Sequence, residues 1–130
     1  MLIKYKKNYE KIAMGLLSFN PSEKDLTKLR KTMNEYDTEK NHKLYLWKEK
    51  EGIIGLIGVL FTNSQIQLQH IAINPSHRNQ GLGKHLVKAL KGLYPYTSIT
   101  STEITEAFLH KCNLFEDLQK EKKKLFAAPN

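Results

Sequence analysis

The chain has 130 residues, 40% hydrophobic and 26% charged, which suits one domain, residues 1–130, able to bury a core without disulfides or a structural metal. A single cysteine, Cys112, excludes an internal disulfide and suits a reducing compartment. The formal net charge of +8 favours an anionic ligand, but the lysines are dispersed among acids except at Lys4–Lys7 and Lys120–Lys124, which read as solvated surface.

The opening Met1–Lys7 lacks the apolar segment of a signal peptide, and the longest apolar run, Ile53–Phe61, is too short for a membrane-spanning helix. The expectation is a soluble cytoplasmic protein that binds neither membrane nor nucleic acid. Residues 2–5 form a first strand or an extended arm. Residues 8–17 read as a helix, with Ile12, Leu16 and Leu17 near one face and Tyr9 and Ala13 beside it. Ser18–Pro21 breaks it. A second helix is expected with Asn20 as N-cap, Pro21 in the first position and Glu23 in the third. Leu26, Leu29, Met33 and Tyr36 continue it at helical spacing, and Thr38–His42 is a polar loop.

Lys43–Glu49 and Ile53–Phe61 read as hairpin arms joined by a turn at Lys50–Gly52. The second arm is nearly all apolar, as a central strand covered on both faces is. Its Gly55 and Gly58 leave room for something to pack close. Gln65–Ile73 is the third strand of this meander, and its alternation slips. Ile66 and Leu68 are the apolar positions up to Gln69, but Ile71 and Ile73, of the other parity, take over afterwards. Either a β-bulge near His70 inserts an extra residue, or a straight strand has its polar face covered halfway along.

Residues 71–86 are the most informative. Asn74-Pro75 stops the strand, Gly81 and Gly83 allow a tight bend, and Leu82, Leu86, Ala89, Leu90 and Leu93 fall at helical spacing. A strand, a basic glycine-containing loop and a helix N-terminus beside Arg78 and Lys84 make an anion site suited to phosphate. The competing reading has glycines that serve only the turn. A Walker loop ending at Gly83-Lys84 fails, because Arg78 and His85 stand where it needs Gly and Ser or Thr; a dinucleotide fingerprint from Gly81 fails at Leu86. The helix ends near Gly92. Thr97–Ser101 is a short strand, and Thr102 caps a last helix with Ile104, Ala107, Phe108 and Cys112 on one face. Asn113 suits a left-handed helix end. Residues 116–130 form a last strand or helical piece, or fray.

The run Ile71-Ala-Ile-Asn-Pro75, then Arg78-x-x-Gly81-x-Gly83 and an amphipathic helix, resembles the acetyl-CoA-binding signature of the GNAT superfamily of N-acetyltransferases. The resemblance implies an α/β (α+β) fold: a central mixed β-sheet flanked by helices, with a bulged strand splaying from a parallel neighbour and acetyl-CoA in the gap. It favours the bulge over the straight strand. It implies that Ile71, Ala72 and Ile73 bind the pantetheine and acetyl end through their backbone. Asn79, Gln80, Gly81, Leu82, Gly83 and Lys84 would cradle the pyrophosphate, with Arg78 opening the loop. Most of the chain before Pro95 also resembles the RibT-type acetyltransferase-like proteins of Gram-positive riboflavin operons. The shared features are its opening Ile-Lys-Tyr-Lys-Lys run, its Leu-Trp-Lys-Glu strand and His70–Arg78. That implies a link to flavin biosynthesis by context and no particular acceptor.

Acetyl transfer from a thioester to an amine requires a polarised carbonyl, a neutral amine and a stabilised leaving thiolate. His70, beside the phase slip, is the candidate base, since imidazole titrates near neutrality; the competing reading is a hydrogen-bonded structural histidine. His77 can meet phosphate; His42, His85 and His110 read as surface, and no spacing suits a metal. Many GNAT proteins carry Phe-Tyr-x-Lys-x-Gly-Phe on the last helix, with the tyrosine near the CoA sulfur. Here Phe108-Leu-His-Lys-Cys-Asn-Leu114 puts Leu109 in that place. Cys112 is a second catalytic candidate, or a core residue; Tyr94, Tyr96, a hydroxyl of Ser98–Thr102 or a water are other acids. The chain is short beyond the last helix, so the strands that shape an acceptor pocket are missing or come from a partner in a homodimer. The leading expectation is an N-acetyltransferase for an amine of a small molecule or protein. The alternative is a non-catalytic acyl-CoA-binding or sensor module. Charge alone suggests nucleic acid, but no aromatic–basic platform supports it.

Overall fold

The computed structural model describes residues 1–50, 52–78 and 80–110. Asn79, Cys112, Asn113 and residues 116–130, on which some of the expectations above fall, lie outside the described residues.

Five strands form one sheet in the order β1-β2-β3-β4-β5. They are β1 (Leu2–Lys4), β2 (His42–Glu49), β3 (Gly52–Phe61), β4 (Gln65–Ile73) and β5 (Ser98–Ser101). The first four pair antiparallel and β5 runs parallel to β4. The apolar run of β3 takes the central place because both its faces are covered. Leu56 packs with α1 (Glu10–Leu17) and α2 (Leu26–Thr38), while Ile57 and Val59 pack with α3 (Leu82–Leu93). Leu86 and Leu90 of α3 are fully buried, each contributing roughly 1.5–3 kcal/mol of apolar burial.

The phase slip in β4 is a bulge. Gly58 of β3 lies opposite His70 and Val59 opposite Leu68, so Gln69 is the extra residue. The bulge keeps Ile66, Leu68, Ile71 and Ile73 all toward the α3 layer, while Ala72 packs in the α1–α2 layer. A straight strand would have turned half of these isoleucines and leucines to the wrong face. A second irregularity, between Trp47 and Lys48 in β2, has no sequence signal.

Three local expectations are corrected. The second helix does not begin at Asn20, whose side chain caps nothing; Pro21–Glu23 is a separate 3₁₀ turn. α2 starts at Leu26, with Asp25 Oδ1 accepting from the Thr27 N–H at 3.0 Å. Ile12 and Leu26 are exposed; Ala13, Leu16 and Leu17 carry the buried face of α1, and Leu29, Met33 and Tyr36 that of α2, where Thr32 joins them through its bond to Glu23. In the last helical segment, residues 106–110, Leu109 is buried and Ala107 exposed, with Ile104 exposed just before it. Thr105 sets that phase: its Oγ1 donates to the Leu68 carbonyl at 2.8 Å.

Gly55 and Gly58 both admit close neighbours. A Cβ on Gly55 would lie 3.3 Å from the Ala72 carbonyl oxygen, and one on Gly58 would overlap the hydroxyl end of Tyr36. Gly58→Ala is therefore expected to displace Tyr36 and destabilise the fold by roughly 1–3 kcal/mol, read as a lower urea midpoint at unchanged m-value.

Candidate active site

β4 and β5 part in the middle of the sheet. Their pairing ends at Leu68 and Ser101, but β4 continues to Ile73. Among the described residues, no strand lies beside β4 on that edge beyond Leu68. Thr105 closes the crotch of the fork through its bond to the Leu68 carbonyl. Thr102 and Thr105 brace that position reciprocally, each side-chain oxygen accepting from the other's backbone N–H at 3.3 and 2.9 Å, an arrangement like a capping box.

A cavity of about 420 Å³ opens along this edge. Ile71, Ala72 and Ile73 form one wall; Arg78, Gly81, Leu82, Gly83 and Lys84 form the end, so most of the residues expected there from sequence come together. Gln80 is exposed in the loop and does not line the cavity. Asn74 starts the loop by accepting from the Ser76 N–H at 3.0 Å, an Asx-type turn. Gly81 (φ 72°) takes the left-handed angle that precedes α3. The first N–H groups of a helix have no intrahelical partner, so the start of α3 beside Arg78 and Lys84 is a cradle for an anion. Gly83 lets α3 approach the last segment: a Cβ there would sit 2.6 Å from the Phe108 ring.

Sequence reasoning missed Phe19, Asn20 and Phe108 on this cavity and the part played by Glu23. Phe19 lies under the Arg78 guanidinium, 5.6 Å from ring centroid to Cζ, close enough for a cation–π contact. Asn20 Nδ2 is buried with no hydrogen-bond partner among the described residues. The only signal for either was the helix break at Ser18–Pro21. Phe108 sits in the segment that resembles the family motif.

His70 faces a second cavity, of about 490 Å³, lined also by Ser22, Glu23, Glu35, Thr102 and Ile104. Its Nε2 lies 3.0 Å from Glu23 Oε1 and its Nδ1 2.6 Å from the Tyr36 hydroxyl. Thr32 Oγ1 donates to Glu23 Oε2 at 2.8 Å. Glu23 is 2% exposed. Burial pushes the Tyr36 phenol far up, with Glu23 and Glu35 adding to it, so the phenol keeps its proton and donates to Nδ1. Burial also lowers the His70 imidazole below its ordinary value, outweighing the hydrogen bond and charge of Glu23 and the charge of Glu35, while Lys28 adds to the lowering. The neutral ring then carries its proton on Nε2 and donates it to Glu23.

Of the proposed acids among the described residues, Tyr94, Tyr96 and Ser98–Thr102, none lines the first cavity. The Tyr94 hydroxyl pairs with that of Tyr45 at 2.6 Å, Tyr96 is fully exposed, and Leu109 is buried with Ile57 and Leu86. His42, read as surface, is half-buried and edge-on to Tyr36. Among the described residues no group of three or more His, Cys, Asp or Glu is placed to hold a metal, and no helix is long and apolar enough to cross a membrane.

The sequence profile described as the acetyltransferase (GNAT) family matches residues 10–116. The chain belongs to the GNAT acetyltransferase family. It is 57% identical over 115 residues, 88% of this chain and 96% of the relative, to an uncharacterised N-acetyltransferase in the lysA 3′ region of Bacillus methanolicus. A possible acetyltransferase from Clostridium difficile 630 shares the GNAT fold at TM-score 0.69 and 10% identity, covering 100% of this chain and 92% of that one. So does AAC(6')-Iy in complex with the bisubstrate analogue CoA-S-monomethyl-acetylneamine. Its TM-score is 0.65 at 16% identity, covering 99% and 90% of the two chains.

Because the fold favours neutral His70, the unfolded chain takes up this proton first as pH falls. The group's contribution to stability is therefore complete above the ordinary histidine value of about 6.5 and declines below it. The melting temperature is expected to drop from pH 7.5 to 5.5, and to drop less in His70→Gln; an equal drop would mean that other groups set the dependence.

Proposed function

We propose that the protein is an acetyl-CoA-dependent N-acetyltransferase that acetylates a primary amine of a small molecule or protein. The observation that carries this reading is the open β4 edge ending at a glycine-shaped, basic helix N-terminus. Ile71, Ala72 and Ile73 offer backbone groups to an extended pantetheine, which can add to the edge as a short strand does. Arg78, Asn79, Gln80, Gly81, Leu82, Gly83 and Lys84 hold the pyrophosphate. Asn20 Nδ2, without a partner among the described residues, fits this substrate as a donor for a carbonyl, since a buried donor without an acceptor is costly. His70, with Glu23 on its Nε2, is the proton-accepting pair that leaves the amine neutral for attack. Cys112 remains a second catalytic candidate in this reading, and the single cysteine suits the reducing cytoplasm.

The relative from Bacillus methanolicus is described as an N-acetyltransferase, and AAC(6')-Iy holds an analogue that joins CoA to acetylneamine. That supports amine transfer here without choosing the acceptor. A link to riboflavin metabolism rests on the sequence resemblance alone. A second reading, a non-catalytic acyl-CoA sensor, is favoured by one observation: no Tyr, Ser or Thr lines the first cavity among the described residues, so no hydroxyl there is placed to protonate the leaving thiolate.

Titration calorimetry with acetyl-CoA is expected to show binding that Arg78→Glu weakens at least tenfold, which is about 1.4 kcal/mol. No binding by the native chain would overturn both readings. Release of free CoA thiol across a panel of primary amines supports the enzyme; binding without release with every amine supports the sensor.

A further inference from the structure

The two cavities are neighbours along one fork. The segment Phe19–Glu23 contributes Phe19 and Asn20 to the first and Ser22 and Glu23 to the second. The last segment gives Phe108 to the first and Thr102 and Ile104 to the second. In β4, Ile71 lines the first and His70, the preceding residue, the second. The second cavity is thus where an acceptor meets a thioester laid along β4, if the acetyltransferase reading holds.

Both nitrogens of His70, the only histidine among the described residues lining that cavity, are already engaged. Nδ1 takes the proton of the Tyr36 hydroxyl, and Nε2 gives its own to Glu23. Neutral His70 therefore has no lone pair available for an incoming ammonium. Glu23 does: each carboxylate oxygen accepts one bond, from His70 and Thr32, and has a further lone pair. A carboxylate buried this deeply is retained only against good partners, and here both point inward from β4 and α2. Gly58 makes the arrangement possible, since any side chain there would strike the Tyr36 hydroxyl.

We propose that Glu23 is the group that takes the proton from the acceptor, a compact primary amine arriving as its ammonium ion, and that Tyr36 is a positioning residue that locks His70 as the Nε2–H tautomer to orient Glu23. The proton passes from the ammonium to Glu23, directly or through one water. The amine nitrogen then bonds to the thioester carbon as the C–S bond breaks. The second nitrogen proton goes to the departing sulfur, and Glu23 returns its proton to solvent. One ammonium and one acetyl thioester give one amide, one thiol and one released proton. The other charged groups lining this cavity are Asp25, which caps α2, and Lys28, Lys31 and Glu35 of α2.

The test combines kinetics with nitrogen-15 NMR of the histidine rings. Glu23→Gln is expected to lower kcat at least 100-fold with unchanged acetyl-CoA affinity; Glu23→Asp, which keeps the charge, is expected to recover part of it. In the native protein His70 is expected to show a protonated Nε2 and a bare Nδ1. In Tyr36→Phe it is expected to become a tautomer mixture, with a shifted pH–rate profile and KM for acetyl-CoA unchanged. A protonated Nδ1 in the native protein, or a Glu23→Gln variant that turns over normally while His70→Gln does not, overturns the assignment. If no amine is acetylated yet the tautomer is as expected, the acetyltransferase reading fails and Glu23's role with it, while the Tyr36 lock on His70 stands.

Discussion

Up to Leu68, β4 is bonded on both edges, to β3 and to β5. At Gln69 it gains one residue over β3; beyond that point β5 no longer follows it. A bulge bends a strand and increases its twist, and here it coincides with the opening of the fork. The cavity along residues 71–73, the exposure of backbone groups to a ligand and the placing of His70 on the α2 side all depend on it. The apolar side chains enforce it: only with the extra residue do Ile66, Leu68, Ile71 and Ile73 all reach the α3 layer. Hydrophobic burial therefore holds open an edge that hydrogen bonding alone would tend to close.

The polar chain from Thr32 through Glu23 and His70 to Tyr36 crosses from α2 to the same bulge. Its members are mostly withdrawn from water, so each depends on the next. Removing one leaves a buried donor or acceptor unmet, at roughly 1–3 kcal/mol. A basic protein keeps this acid buried because Thr32 and His70 satisfy it. The consequence is a site in which burial keeps His70 neutral and the hydrogen bonds to Tyr36 and Glu23 set its tautomer. Arg78 and Lys84 stand at the other end of the fork, where α3 begins.

Much of the fold was legible in the residues. The β4 limits, Gln65–Ile73, follow from turn residues on both sides, and the all-apolar run of β3 marked the central strand. The phase slip at His70 pointed to a bulge but left a straight strand open, since alternation reports which side chains are apolar and not which neighbours cover them. The glycine and arginine spacing of residues 78–83 pointed to the end of the first cavity, which Arg78, Gly81 and Gly83 line, because glycine needs at close approaches are local. Glu23 was misread for the same reason. Next to Asn20-Pro21 it has the spacing of a helix cap, and nothing local shows that a 3₁₀ turn will bury it against a histidine 47 positions away.

By itself, the sequence determined the order of strands and helices, the turn chemistry at Asn74–Gly83 and the family, since each rests on contacts within a few residues or on a spaced motif. Only the tertiary structure decided which bulged edge lies open, that Phe19, Asn20 and Phe108 reach the first cavity, and that both nitrogens of His70 are taken. Those facts depend on segments far apart in the chain, brought together by core packing, and their geometry leaves no pattern in any one stretch of residues.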